Sequence, residues 1–427
     1  MRTIRGLIGA TLILLVVGKA DAATYTLTEI TLGGTTTKAF AVNASGQVAG
    51  YGSPVGIAQD HAFLFANGTA TDLGTLGGQD SGAYAINDAG IIVGQSSLNG
   101  NAITRAFAAF GGVIADLGTL GGTNGFARGI NASGVIVGYS DTTGNVTVHA
   151  FRRMNGVMTD LGSLAGAGEQ SEAFGVNDLG EVVGWTKVAG GKQHGFLFTT
   201  GAMADLDTLG GDVAQANAIN NSTHIVGYSL LANNTTAHAF LNIDGIVSDL
   251  GTLGGTTSEA LDINDADQIV GYAHTVGNVA HAFLYQNGAM VDLNDLVTGV
   301  TGWVLRYAYS INESGQIAGY GTHNGQTSAF LLTPVKPVPA VAAPTLAIAG
   351  KKKFTTAQAR VTIKGTATGS VTRVSYRVGK KGAFRTAAGT NTWRFRAKLQ
   401  PGRNRISIQA EGPGGASPQK KVTVTRN

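Results

Sequence analysis

His61, His149, His194, His238 and His281 recur at an interval of about 44 residues, and so do Asp72, Asp116, Asp160, Asp205, Asp249 and Asp292. Imidazole is the commonest protein ligand for transition metals, and carboxylates suit calcium. The interval speaks against a shared metal. Equivalent positions in separate repeats lie too far apart to meet one ion at about 2 Å. A bond from each His to a turn backbone, or to the Asp of its own repeat, is the expectation. No Asp-x-Asp-x-Asp-Gly loop with a closing Glu occurs, and the nearest cluster is Asp262-Ile-Asn-Asp-Ala-Asp267. No metal or cofactor is therefore expected, with calcium the one ion that the acidic surface suits.

The nucleophile signatures are also missing. The chain has no Gly-x-Ser-x-Gly, no His-Glu-x-x-His and no cysteine. Thiol chemistry, disulfides and zinc-thiolate sites are excluded. The repeated Gly-Gly lacks the Lys-Ser/Thr of a phosphate-binding loop and reads as a turn. Binding rather than catalysis is the expectation, and it belongs where the repeats disagree. Loops bring Gln79, Asp80, Glu169, Glu172, Asp212, Glu259, Trp303 and Arg306 to one mouth. Arg128 and Asn217 stand where other repeats mostly place an aromatic residue. An acidic mouth with a tryptophan suits a sugar or a cationic peptide.

The elements that position these residues follow from the repeat itself. Its Asn falls at Asn43, Asn87, Asn131, Asn177, Asn220, Asn264 and Asn312, and its Phe at Phe63, Phe107, Phe151, Phe196, Phe240, Phe283 and Phe330. Short alternating runs punctuated by Gly and Asn predict four strands per repeat; in the second copy these are 83–87, 90–95, 105–110 and 113–117. Asn-x-x-Gly predicts a tight turn in which the Gly takes positive φ. Thr223 and Asp267 replace that Gly, so the turn at Thr223 should be strained or built differently. The seven Phe should be core. Gly50 and Gly94 should mark close approach between sheets.

A four-stranded unit repeated seven times predicts a β-propeller, with a β-solenoid as competitor. The last copy lacks its fourth strand, while Tyr25–Ile30 is an orphan strand in which Thr28 aligns with Asp72. That split predicts a ring closed by the N-terminal strand.

Asp-Leu-Gly-Thr-Leu-Gly-Gly, Ile-Asn-x-x-Gly-x-Ile-Val-Gly and His-Ala-Phe recur in fixed order over about residues 25–333. In these motifs the chain resembles the HAF-repeat family of extracellular bacterial proteins. The resemblance implies secretion and fixes no activity. Arg105 and Ser328 stand where His is usual, Gly195 replaces Ala, and Asp207 replaces the Gly of Asp-Leu-Gly.

The N-terminus reads as a signal peptide: Arg2 and Arg5, then apolar Leu7–Gly18, then Ala20-Asp-Ala22 as cleavage site. The apolar stretch is short for a bilayer span, and no second one follows. Charge is divided sharply. Residues 23–340 hold 9 Lys+Arg against 24 Asp+Glu, whereas residues 341–427 hold 18 against the single acid Glu411. Such asymmetry points to an anionic partner for the tail. Its alternating runs predict strands at 359–365, 371–378, 392–398, 405–410 and 421–425, and it resembles bacterial immunoglobulin-like modules. Period two places Arg373 with Arg377 outward, and likewise Arg394, Arg396 and Lys398.

The sequence thus predicts an all-β protein: signal peptide 1–22; seven-bladed β-propeller 23–333, closed by the N-terminal strand; linker 334–344; and a small basic immunoglobulin-like β-sandwich 345–427. The expected role is secreted, non-enzymatic binding or adhesion. The propeller face would recognise an extracellular glycan or protein. The basic module would hold an anionic polymer, either envelope polysaccharide, lipopolysaccharide or extracellular DNA. The alternatives are a glycan hydrolase or lyase with carboxylates at the mouth, and a structural assembly protein of the extracellular matrix.

Overall fold

The computed structural model describes residues 25–335 and 342–427 apart from Gly382. The signal peptide and most of the linker lie outside these residues. The described chain is all-β, with two single 3-10 turns, and divides into two compact units, Met1–Val335 and Lys336–Asn427.

The first unit is built from antiparallel sheets of one design. Gly77–Ile86, Ile92–Leu98, Thr104–Phe110 and Val113–Asp116 pair in chain order, as do the strands of the other copies. The first strand starts earlier than the repeat pattern predicts. Gly77 is not a turn residue but opens the strand at φ +103°, opposite Leu98, before a register shift near Ser81. The last sheet takes Tyr25–Ile30 beside Gln326–Pro334, and the place of Asp72 opposite Phe63 falls to Glu29 opposite Phe330, one residue on from the Thr28 that the sequence alignment put there. Pro334, assigned by sequence to the linker, ends that strand.

The seven Phe are completely or almost completely buried. At Gly138 an added Cβ would lie 1.9 Å from the Phe126 carbonyl oxygen, and at Gly94 2.0 Å from that of Gly82. Both oxygens belong to the neighbouring strand of the same sheet, where the register shifts by a residue. The glycines therefore fit a bulge within a sheet, not the approach of two sheets as the sequence suggested.

The Asn turns are built as the sequence predicts. Gly46, Gly90, Gly134, Gly180 and Gly315 have φ between +74° and +82°, and the Asn side-chain oxygen accepts turn N–H groups, as at Val135. Thr223 keeps the same turn at φ +62°, and its hydroxyl donates to the Glu181 carboxylate at 2.8 Å. A β-branched residue in the left-handed region costs about 1–3 kcal/mol. Thr223→Gly is expected to stabilise the chain by about 1 kcal/mol after losing that hydrogen bond. Urea denaturation checks this, and a lower midpoint for the variant would refute it.

The second unit has two sheets around one core. Thr345–Ile348, Arg360–Thr368 and Thr392–Lys398 form a three-stranded sheet. Lys353–Thr356, Lys420–Arg426, Gly402–Gly412, Arg373–Val378 and Arg385–Thr386 form the other, with Gly415–Ala416 against Gly402–Gly412. Trp393, Phe395 and Ala397 meet Val374, Ile406, Ile408, Val422 and Val424 between them. The five predicted strands are present, with bounds that agree to within three residues at each end. The two short strands at Thr345–Ile348 and Lys353–Thr356 had no clear alternation to reveal them.

Candidate functional site: an aromatic and polar cavity

Scaffold and site separate cleanly among the repeated residues. His61, His149, His194, His238 and His281 bond through Nδ1 to Asp72, Asp160, Asp205, Asp249 and Asp292 at 2.6–2.9 Å. Arg105 takes the same role toward Asp116 at 3.4 Å. Asp72, Asp116, Asp160, Asp249 and Asp292 also accept a backbone N–H two residues on, as from Gly74 at 2.7 Å. The pairing is local, as the spacing implies.

The repeated Asn does more than close its turn. Its Nδ2 donates to the backbone carbonyl of the next repeat's Asn at 2.8–3.2 Å, from Asn43 to Asn87 and onward to Asn312. Asn312 then donates to the carbonyl of Asn43 at 2.8 Å. All seven are buried. These bonds hold the first strands of successive sheets side by side.

Beside them the first strands border a cavity of about 670 Å³. The position three before the Asn supplies Phe40, Tyr84, Arg128, Phe174, Asn217, Leu261 and Tyr309. Phe40 lies 4.6 Å from Tyr309 and 5.3 Å from Tyr84 between ring centroids, and Tyr309 stacks on Tyr320 at 5.6 Å. Tyr272 and Tyr307 extend this aromatic wall. Elsewhere the lining is polar. Gln215 donates to Asn217 at 2.8 Å; Asn217 donates to Glu259 at 2.9 Å and to the Ala260 carbonyl; the Tyr272 hydroxyl donates to Glu259 at 3.0 Å. The Arg128 guanidinium lies 4.0 Å from the Tyr84 ring centroid and donates to the Tyr139 hydroxyl at 2.9 Å. Burial raises the Glu259 carboxyl above its ordinary range, against the pull of Asn217 and Tyr272, and raises Glu172 against Trp185 and Arg128.

Asp262 is a departure the sequence reading missed. Other repeats place Ala, Gly or Ser there. Its carboxylate accepts from the Ile263 and Ile311 N–H groups at 2.9 Å, and burial pushes its pKa up to about 6. An acid whose folded pKa is raised binds more protons in the folded chain, so its contribution to stability falls as pH rises between its ordinary value and about 6. Asp262→Ala is expected to gain on the wild type as pH rises from 4 to 6. Paired urea titrations across that range check it; a difference independent of pH would refute it.

Of the residues singled out by sequence, Arg128, Asn217 and Glu259 line the cavity, and Glu172 lies beside it as the cross-strand partner of Trp185. The other mouth residues do not line it. Gln79 is exposed and its N–H is held by Asn101. Glu169 sits exposed in a turn onto Gly166. Asp212 pairs with Lys192 and accepts from Asn234. Trp303 stacks on His323 at 4.8 Å and edges onto Phe330. Arg306 reaches the Ala280 carbonyl. Asp80 borders a smaller side pocket. These fourth-to-first connections are tied to the second-to-third loops by Asn101, Asn145 and Asn234, so several of their groups are already satisfied. The wall of Phe40, Tyr84, Tyr309, Tyr320 and Tyr272 is not among the residues singled out by sequence, although aromatic residues recur at both repeat positions.

In the second unit, Arg394, Arg396 and Lys398 are exposed on one sheet face with Arg360 and Lys364 opposite them. Arg360 pairs in register with Lys398, and Lys364 with Arg394. Arg373 and Arg377 belong to the other sheet, where Arg373 is bonded to Glu411 and Arg377 lies over the Phe384 ring. The predicted cations therefore do not share one surface.

No protein-family model matches the chain, and no curated protein does. Among solved structures, the extracellular domain of BT3049 from B. thetaiotaomicron is similar at 12% identity over 94% of this chain, with a TM-score of 0.41. TolB from Acinetobacter baumannii is similar at 11% identity over 57% of this chain, with a TM-score of 0.37. The chain spans 58% of the first structure's length and 63% of the second's.

Proposed function

We propose that this is a secreted, non-enzymatic binding protein of the HAF-repeat type, a seven-bladed propeller closed by its N-terminal strand and followed by a basic immunoglobulin-like module. The return of the Asn series from Asn312 to Asn43, and the pairing of Tyr25–Ile30 with Gln326–Pro334, support the closure. The propeller takes a glycan in its central cavity, and the basic module retains the protein on an anionic polysaccharide.

One observation carries the glycan reading: an aromatic wall faces Gln215, Asn217, Glu259 and Arg128 within one cavity. Sugar rings present apolar faces to aromatic rings and hydroxyls to amides and carboxylates, and ligand sites commonly join such walls to a few polar groups. Calorimetry of the full chain against a panel of oligosaccharides tests it. At least one should bind, and Tyr309→Ala and Asn217→Ala should each weaken it about tenfold, or about 1.4 kcal/mol. No binding by the wild type, or equal binding by both variants, sinks the reading.

A glycan hydrolase or lyase has one observation in its favour. Glu259, raised by burial and bonded to Tyr272, has the character of a general acid. Turnover of a panel glycan that Glu259→Gln abolishes would select it over binding alone.

A further inference from the structure

A second pocket adjoins the cavity at Tyr84, and the repeat explains why it exists. In the third copy Phe126 and Tyr139 are cross-strand partners and stack at 4.7 Å. The same partners in the second copy are Gly82 and Gln95. At its position Gly82 is the one residue without a side chain, among Lys38, Phe126, Glu172, Gln215, Glu259 and Tyr307. Gln95 is the one non-aromatic residue among Tyr51, Tyr139, Trp185, Tyr228, Tyr272 and Tyr320. The paired loss leaves a pocket of about 310 Å³ where other sheets hold large side chains.

Its chemistry is dominated by acceptors. Tyr51 and Tyr84, packed edge to face with centroids 6.3 Å apart, form an aromatic wall, and Asp60 and Asp80 border the space. Asp60 accepts one hydroxyl, from Thr36, and the Asp80 carboxylate has no hydrogen-bond or ion-pair partner among the described residues. Gln95 Oε1 is buried without a donor. The Ser97 hydroxyl is directed to the Asp80 backbone carbonyl, and the Ser81 hydroxyl to that of Gly74. Lys38 and Arg128 do not line the pocket. Lys38 lies over the Tyr51 ring at 5.6 Å and Arg128 over that of Tyr84 at 4.0 Å, so the pull on an amine comes from the acceptors: a buried acceptor left unpaired is unfavourable, and two carboxylates attract a cation.

We infer that this pocket is a subsite for a primary ammonium group, and that the unit it holds is an amino sugar of the glycan in the neighbouring cavity. The ammonium meets Asp60 and Asp80 and donates to Gln95 Oε1, and the sugar ring lies against the edge-to-face pair of Tyr51 and Tyr84. The identity of the ligand rests on the glycan reading above; the preference for an amine rests on this pocket alone.

The test is calorimetry of the full chain with a glucosamine oligomer, its fully N-acetylated counterpart and an oligolysine peptide. The glucosamine oligomer should bind at least tenfold more tightly than the acetylated one. Asp80→Asn, an exposed and nearly isosteric change, should remove most of that preference. Gln95→Tyr, which restores the residue of the other copies, should do the same while leaving neutral glycans in the cavity unaffected. Equal affinity for the amine and the acetamide, or a preference untouched by both variants, overturns the proposal. Oligolysine binding tighter than the glucosamine oligomer overturns its sugar half. No amine preference in the wild type, while Tyr309→Ala still weakens a neutral glycan, refutes this subsite alone; the reverse refutes the cavity reading alone.

Discussion

Asn131→Ala is expected to lose about 3 kcal/mol of stability, more than its small volume change suggests. Its Oδ1 accepts the Val135 N–H and the Ser133 hydroxyl at 2.9 Å, and its Nδ2 donates to the Asn177 carbonyl at 2.9 Å. Val135 and Asn177 are both buried, so water does not replace the lost partner. Leaving a buried polar group unpaired costs about 1–3 kcal/mol; here the Val135 N–H is orphaned, while the Asn177 carbonyl loses one of two donors and keeps the Gly180 N–H. Asn131→Asp separates the contributions. It keeps the acceptor toward the turn but sets an oxygen against the Asn177 carbonyl. Urea titration with an unchanged m-value is the measurement. A loss below about 1 kcal/mol for Asn131→Ala would mean that the Asn series is incidental to stability.

Replacing Arg394, Arg396 and Lys398 together by Gln is expected to lower retention on a polyuronate matrix by about two orders of magnitude at low salt, and to flatten its salt dependence. The register explains the size. Arg360 opposite Lys398 and Lys364 opposite Arg394 are like charges at direct cross-strand positions, an arrangement that a sheet disfavours by itself and that a polyanion relieves. Among the described residues the face carries no exposed aromatic ring, since Trp393 and Phe395 point inward. It therefore offers no stacking platform for single-stranded nucleic acid. Arg373→Gln with Arg377→Gln is the control and should change little, because Glu411 and Phe384 already engage those side chains. Retention of the triple variant equal to wild type, or retention indifferent to salt, would remove the polymer from the functional reading.

What the sequence made legible was whatever repeats. Strand number per copy, the Asn turns, the buried Phe and the His–Asp pairing each follow from local spacing, because each is satisfied within one sheet or one turn. The contact from Asn to the next carbonyl escaped notice, since it joins residues about 44 apart and leaves no local pattern. The site was half legible. Arg128, Asn217 and Glu259 stood out by departing from the repeat, and they do border the cavity. The mouth loops were overweighted, because the loop asparagines that bind their backbone are invisible until the loops are brought together. Gly82 and Gln95 were missed for another reason. Each departure is bland alone, and only their cross-strand pairing turns two small changes into a pocket.

Tyr25 lies opposite Pro334 in the strand pair that ends the first unit. Adjacent strands run about 4.8 Å apart, so a linker of a few residues joins the two ends without disturbing the sheet. New ends can then be opened at an exposed turn such as Gly111-Gly112, where no Cβ would meet a neighbour. Every pairing in the unit survives such a rearrangement. The order in which the copies follow one another along the chain is thus one of several circular permutations that specify the same set of contacts.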